Sequence, residues 1–211
     1  MPRNTHEKVA KGEMIVVRYA DDLVVGFQHR AEAEQFLREF RERLAQFGLE
    51  VHPEKTRLIE FGRFARVNRK QRGEGKPETF TFLGFTHHCG TNTKGHFVVW
   101  RQTAAKRMRA KLESIKQELR RRMHEAVGVV GEWLKRFVEG YYRYHAVPGN
   151  FATLSLFRER LCCFWRTVLR HRSQRRQPSW DRLRRAFQRW IPRPRTLHPY
   201  PDARFDARHP S

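Results

Sequence analysis

The hydrophobic period changes once along this chain, and that change limits what it can fold into. Up to about residue 100 the apolar residues come mainly in short runs rich in β-branched and aromatic side chains. Ile15-Val16-Val17-Arg18-Tyr19-Ala20 and Leu23-Val24-Val25-Gly26-Phe27 are the first two, and the stretches 57–61, 79–89 and 96–100 follow. Such runs read as strands, the first pair as short and largely buried ones. From about Thr103 the apolar residues recur every three or four positions instead, beginning with Ala105, Met108, Leu112, Ile115 and Leu119. That is helical spacing. The pattern predicts an α+β fold, with antiparallel hairpins and one helix first and a basic helical bundle after.

Finer punctuation fits this division. A helix is predicted over 31–47, with Ala33, Phe36, Phe40, Leu44 and Phe47 on one face and Gly48 at the expected C-terminal cap. Residues 62–78, rich in Lys, Arg and Gly, read as a mobile basic loop, and Gly90 to Gly95 as the loop between the last two strands. In the second half, helices are predicted over 129–145 (Trp133, Phe137 and Tyr141 along one side), over 151–171, and from Ser179, a suitable N-cap. The pair Tyr141-Tyr142 should turn one ring inward and one outward. Prolines at 192, 194, 199, 201 and 210 forbid regular helix in the tail.

Charge narrows the partner. The net charge is +22, and it is uneven: residues 1–100 carry 17 basic and 13 acidic side chains, residues 101–211 carry 27 and 9. Such an excess repels itself in a compact fold unless a polyanion is near, and arginine, which prevails here over lysine, makes forked contacts to phosphate. The helix from about Thr103 carries Lys106, Arg107, Arg109, Lys111 and Lys116, with Arg120, Arg121 and Arg122 at its end and only Glu113 and Glu118 to balance them. It reads as a phosphate-tracking surface, extended by Arg101, and Arg170, Arg172, Arg175 and Arg176 form a second one. The apolar runs are too short for a spanning helix and no secretory signal opens the chain, so no membrane partner is expected. Cys89, Cys162 and Cys163 form no disulfide framework, which suits a reducing cytoplasm. Cys89 with His87, His88 and His96 lacks a second cysteine pair and reads as strand and hairpin residues, not as a zinc site.

Asp21 and Asp22 stand between the first two apolar runs. If both carboxylates were held about 4 Å apart at an effective dielectric of about 20, their repulsion would be on the order of 4 kcal/mol. A hard divalent cation with oxygen ligands would offset it, and Mg²⁺ held by few carboxylates and substrate phosphates suits phosphoryl transfer. A surface turn that merely carries two acids is the plain alternative.

Taken in order, these motifs resemble the second half of a group II intron reverse transcriptase, or intron-encoded maturase, from Met14 to about Arg204. Val17-Arg18-Tyr19-Ala20-Asp21-Asp22 resembles the palm hairpin, and the resemblance implies Asp21 and Asp22 as catalytic metal ligands for a two-metal Mg²⁺ site. His52-Pro53-Glu54-Lys55-Thr56 resembles the next palm motif and implies that Lys55 approaches the incoming triphosphate; by itself Lys55 reads equally as a solvated turn lysine. Phe82-Leu83-Gly84-Phe85 resembles the primer grip, which implies a hairpin there against which the growing strand rests. Gly140-Tyr141-Tyr142 and Leu197-His198-Pro199-Tyr200-Pro201 resemble the thumb and maturase region, domain X. The division implied is a non-matching leader at 1–13, a partial palm at 14–100, a thumb and maturase region at 101–191 and a proline-rich tail at 192–211. The implied partners are intron RNA, an RNA template with DNA primer, and dNTPs, in a bacterial cytoplasmic ribonucleoprotein. The family's fingers and first palm aspartate would precede Met14, where thirteen residues stand. The expectation is therefore a fragment inactive in DNA synthesis alone, completed by a separate N-terminal half, or a noncatalytic RNA-binding remnant that assists splicing. Such a half-palm should leave strand edges and a sheet face uncovered.

Overall fold

The computed structural model describes residues 12–172 and 178–200. The chain divides into two compact units, Met1–Glu60 and Phe61–Ser211. The division falls ahead of the 79–103 strands, whereas the family-based partition groups those strands with the hairpin.

In the first unit, β1 (Met14–Tyr19) and β2 (Asp22–Phe27) form an antiparallel hairpin, followed by α1 (Arg30–Ala45). Register puts Phe27 opposite Met14 and Val25 opposite Val16, and this face meets α1 through Phe27 on Phe36, 5.3 Å between ring centres. The opposite face carries Ile15, Val17 and Tyr19, which are 66, 45 and 63% exposed. The strands are thus not the buried ones expected, because α1 covers one face only and among the described residues no further strand pairs with either edge. Among the described residues, one apolar face and both edges of this hairpin are uncovered. Gly48 caps α1 with φ of 66°, yet Phe47 is 64% exposed and only the earlier members of its stripe pack.

The second unit opens differently from expectation. Residues 57–61 are not a strand, and the basic stretch expected to be a loop contains a short helix, α2 (Ala65–Gln71). Arg69 there reaches Glu74 and Glu78, at 3.3 and 3.9 Å, so nearby acids order the segment. The stretch 79–89 is two strands, not one. β3 (Phe80–Phe82), β4 (Phe85–Thr91) and β5 (Phe97–Thr103) make an antiparallel meander.

The helices follow as expected to within two residues: α3 (Ala105–Arg121), α4 (Val127–His145), α5 (Phe151–His171) and α6 (Trp180–Trp190). Ser179 caps α6 by accepting from the Arg182 N–H. Each helix buries a three-and-four stripe, such as Leu154, Phe157, Leu161, Trp165 and Val168 on α5. On α4 the buried row is Val130, Leu134, Val138 and Tyr142, while Trp133, Phe137 and Tyr141 flank it half-buried. An apolar face this broad seats the aliphatic row innermost and leaves the ring row for cations: Lys111 lies 4.9 Å over Phe137 and Arg122 5.2 Å over Trp133. Both tyrosines of the 141–142 pair face the bundle. Tyr142 is buried, and Tyr141 stacks on Phe157 at 4.1 Å. The tail closes onto α4, with the N–H groups of Leu197 and His198 both donating to Ala146 O.

One side chain joins the meander to the helices. Asn150, fully buried at the start of α5, accepts from the Thr103 N–H (3.0 Å) and donates to Thr103 Oγ1 (2.8 Å) and His145 O (2.7 Å). Trp100 is gripped beside it, since a methyl on either Gly90 or Gly149 would collide with its ring. Replacing Asn150 by Ala removes three hydrogen bonds and leaves the buried Thr103 N–H unpaired, at about 1–3 kcal/mol, whereas Thr103 Oγ1 keeps His145 Nδ1 and His145 O keeps the Val147 N–H. Asn150→Ala is therefore expected to lower the unfolding free energy of the second unit by about 1–3 kcal/mol in urea titration, while Thr167→Ala, on the exposed side of α5, leaves it nearly unchanged.

Candidate nucleic-acid interface

Asp21 and Asp22 sit at the tip of the β1–β2 hairpin. Tyr19 pairs with Asp22, leaving Ala20 and Asp21 as a two-residue loop. Positive φ at the first loop residue alone (Ala20, 52°) is the pattern of a type II′ turn, which normally places glycine there. Arg18 braces the turn by donating from Nε to Ala20 O at 3.0 Å. Both carboxylates are exposed, so water screens their repulsion and the argument from buried like charges does not hold for this hairpin. What remains is donor chemistry. Two adjacent hard oxygen donors are of the kind and minimum number with which Mg²⁺ is held beside substrate phosphates. No cluster of three or more His, Cys, Asp or Glu able to hold a metal occurs among the described residues, so these two acids form no cage by themselves. Lys55 is exposed in a turn over 53–55, closed by the Thr56 N–H donating to His52 O at 2.9 Å.

The Phe82–Phe85 segment is a tight hairpin turn in the second unit. Phe82 pairs with Phe85, and both central residues have positive φ, Leu83 at 48° and Gly84 at 81°, as in type I′. Gly84 thus lies in a turn between two strands, not in a bend within one. Both central carbonyls are taken. Tyr144 Oη donates to Leu83 O at 2.6 Å, and the Ala104 N–H donates to Gly84 O at 2.9 Å. Phe85 is buried against Tyr144 and His145. The turn is therefore held from β5 and α4 together. Tyr144 and Asn150 carry this and had no distinguishing sequence signal, because a tyrosine in an aromatic-rich helix and an asparagine after Pro-Gly both read as ordinary. Arg107 on α3 lies against the turn, its Nη1 3.1 Å from where a Gly84 methyl would stand.

The basic residues of α3 separate into two groups. Lys106, Arg107, Arg109, Lys111 and Arg120 are exposed. Arg121 and Arg122, also expected to meet phosphate, are held instead by Glu118, at 2.7 and 2.5 Å, and Arg122 further meets Glu125 at 3.2 Å. These two hydrogen-bonded guanidinium groups keep the Glu118 carboxyl below its ordinary range. Spacings of three and four residues place them beside the acid, so the available cationic surface is the N-terminal three turns plus Arg120. Arg101 lies half-exposed in β5, and Arg170 and Arg172 lie at the end of α5. Arg175 and Arg176 lie outside the described residues.

Burial, aided by the Arg107 charge, lowers His145 to about 4 from its ordinary 6.5. Thr103 Oγ1 lies 3.3 Å from His145 Nδ1, and with Asn150 donating to that oxygen, the hydroxyl hydrogen is free to serve the neutral ring. The unfolded chain then binds a proton between pH 6.5 and about 4 that the folded one refuses. Stability of the second unit is expected to fall as pH drops through that window, and His145→Gln should flatten the fall in pH-dependent urea titrations. A second expectation concerns the turn. Gly84→Ala forces a side chain onto φ of 81° and against Arg107, destabilising by about 1–2 kcal/mol and weakening nucleic-acid binding, whereas Gly95→Ala in the β4–β5 loop has the same backbone strain but open space and should leave binding intact.

No helix among the described residues is long and apolar enough to cross a membrane. No curated protein matches the chain. Residues 1–87 match the family model for reverse transcriptase (RNA-dependent DNA polymerase), and this segment holds Asp21, Asp22, Lys55 and the Phe82–Phe85 turn.

Proposed function

We propose that this chain is the palm-end, thumb and maturase portion of a group II intron reverse transcriptase, acting on an RNA template with a DNA primer and on intron RNA. The observation that carries the reading is the reverse transcriptase match over residues 1–87, within which an acidic hairpin tip and a rigid two-residue turn both occur. Asp21 and Asp22 would hold Mg²⁺, which when bound supplies charge neutralisation at the reacting phosphates. Lys55 offers a mobile ammonium for a triphosphate. The Leu83-Gly84 turn offers a firm rest for a primer strand, since its carbonyls are already bonded and a glycine admits close approach. The cationic turns of α3 beginning at Lys106 then meet backbone phosphate.

Among the described residues no third donor joins the two carboxylates, which makes a weak metal site, so the chain by itself is proposed to bind template–primer without extending it efficiently. A second reading, a noncatalytic RNA-binding factor that assists intron folding and splicing, is favoured by the charge of the second half, 27 basic against 9 acidic residues over 101–211. Asp21→Ala with Asp22→Ala separates the two. Under the polymerase reading, extension of an annealed primer by the chain supplied with a separate N-terminal reverse-transcriptase half is lost at least 100-fold while RNA affinity is retained. If splicing assistance is the activity, the double variant keeps RNA binding and splicing assistance. In either case log affinity should fall linearly with log salt, by about 0.9 per phosphate contact on duplex and about 0.7 on single strand, and a flat dependence would remove the basic surface from the binding reaction.

A further inference from the structure

We propose that the groove between α5 and α6 is a binding site for single-stranded nucleic acid, separate from the hairpin acids and from the cationic face of α3. The groove has a volume of about 500 Å³, within the range of sites that take a nucleotide-sized group. Four arginines line it, Arg158 and Arg166 from α5, Arg184 from α6 and Arg193 just beyond, against one acid, Glu159. Among the described residues no ion pair joins these arginines to that acid. That acid therefore neutralises none of the four.

The groove also has an aromatic wall. Trp180, at the first position of α6, is 55% exposed although the tryptophans at 165 and 190 pack into the bundle. The Arg166 guanidinium lies 5.6 Å from its ring centre. A base stacked on such a ring beside a guanidinium plane is the usual way unpaired bases are held, and forked arginine contacts secure the adjoining phosphates. Arg158 is fixed for this by donating from Nε to Ile191 O at 3.0 Å. The groove runs on along α5 into a second hollow of about 420 Å³ that shares Cys163 and Arg166 and reaches His171. From Arg158 to His171 that is roughly 20 Å of helix, a track for a strand rather than a pocket for one small anion. An acidic peptide would use the arginines but leave the exposed indole face unmatched, so the aromatic wall favours bases.

Cys163 gives a direct readout, since it is exposed, lines both hollows, and can be compared with half-buried Cys89 in the meander. With the full chain, saturating short oligouridylate or oligothymidylate should slow iodoacetamide alkylation of Cys163 several-fold and leave Cys89 unchanged, read by peptide mass spectrometry. The nucleotide type that protects at the lower concentration identifies RNA or DNA as the source of the strand. An unchanged Cys163 rate at saturation overturns the proposal, and so does equal protection by polyglutamate, which would assign the groove to an acidic protein. Trp180→Ala should weaken oligonucleotide binding about 5- to 150-fold, and Arg184→Gln should reduce the salt slope by about 0.7. Neither side chain is buried, so both variants should keep the wild-type unfolding midpoint. Wild-type affinity in both would place binding elsewhere, and the Asp21 and Asp22 substitutions, which leave this groove untouched, test the polymerase reading separately.

Discussion

Asn150 is a small side chain on which much of the second unit's geometry rests. It fills the position before α5, where an asparagine would ordinarily cap the helix, but no helix-capping bond is formed. Its amide turns to Thr103 and His145, so the end of the last strand, the end of α4 and the start of α5 meet at one buried group. A buried amide satisfied on three sides is exacting: it is stabilising only when every partner is in register. The register of β5 on β4 is passed through that junction to the helices, and from there to the turn at Leu83 and Gly84, which Tyr144 holds by its hydroxyl.

The hairpin of the first unit is built on a different principle. No described residue from 12 to 60 is fully buried, and its two strands leave one apolar face open. Its precision is local. The Ala20 backbone adopts the left-handed region, costly for a residue with a side chain, and Arg18 braces the loop by bonding Ala20 O. This strained tip presents two acids side by side. Strain without an obvious packing reason gathers at functional tips, and it coincides here with the segment similar to reverse transcriptases.

Charge in the bundle is sorted by spacing. Glu118 draws in Arg121 and Arg122, Glu113 takes Lys116 at 3.3 Å, and Lys111 and Arg122 settle over aromatic rings of α4. Arg109 remains at the surface although Glu113 stands four residues on, because that carboxylate is taken by Lys116. On α5 and α6, among the described residues, arginines outnumber the acid that lines the groove, and Trp180 is largely exposed. A polyanion reader needs both features: unneutralised forks and rings that bury little in the free protein.

The sequence by itself determined the α+β order, the change to helices near Thr103, the four C-terminal helices and the acidic and glycine-containing turns, because period and turn chemistry are local properties. It also placed the cationic excess. The apolar pattern did not show that 79–89 folds back on itself at Leu83, where only the family resemblance implied a hairpin, because the positive φ of this apolar residue is held by tertiary bonds from Tyr144 and Ala104 to the turn. Nor did it show that the aspartate hairpin is exposed, or that Trp133, Phe137 and Tyr141 give the inner row to Val130, Leu134 and Val138. Burial is set by what packs on a face, and apolar spacing states only which face is available. Which arginines remain open to phosphate was likewise decided in three dimensions, where a carboxylate three or four residues away, or a ring on the neighbouring helix, either occupies a guanidinium or leaves it free.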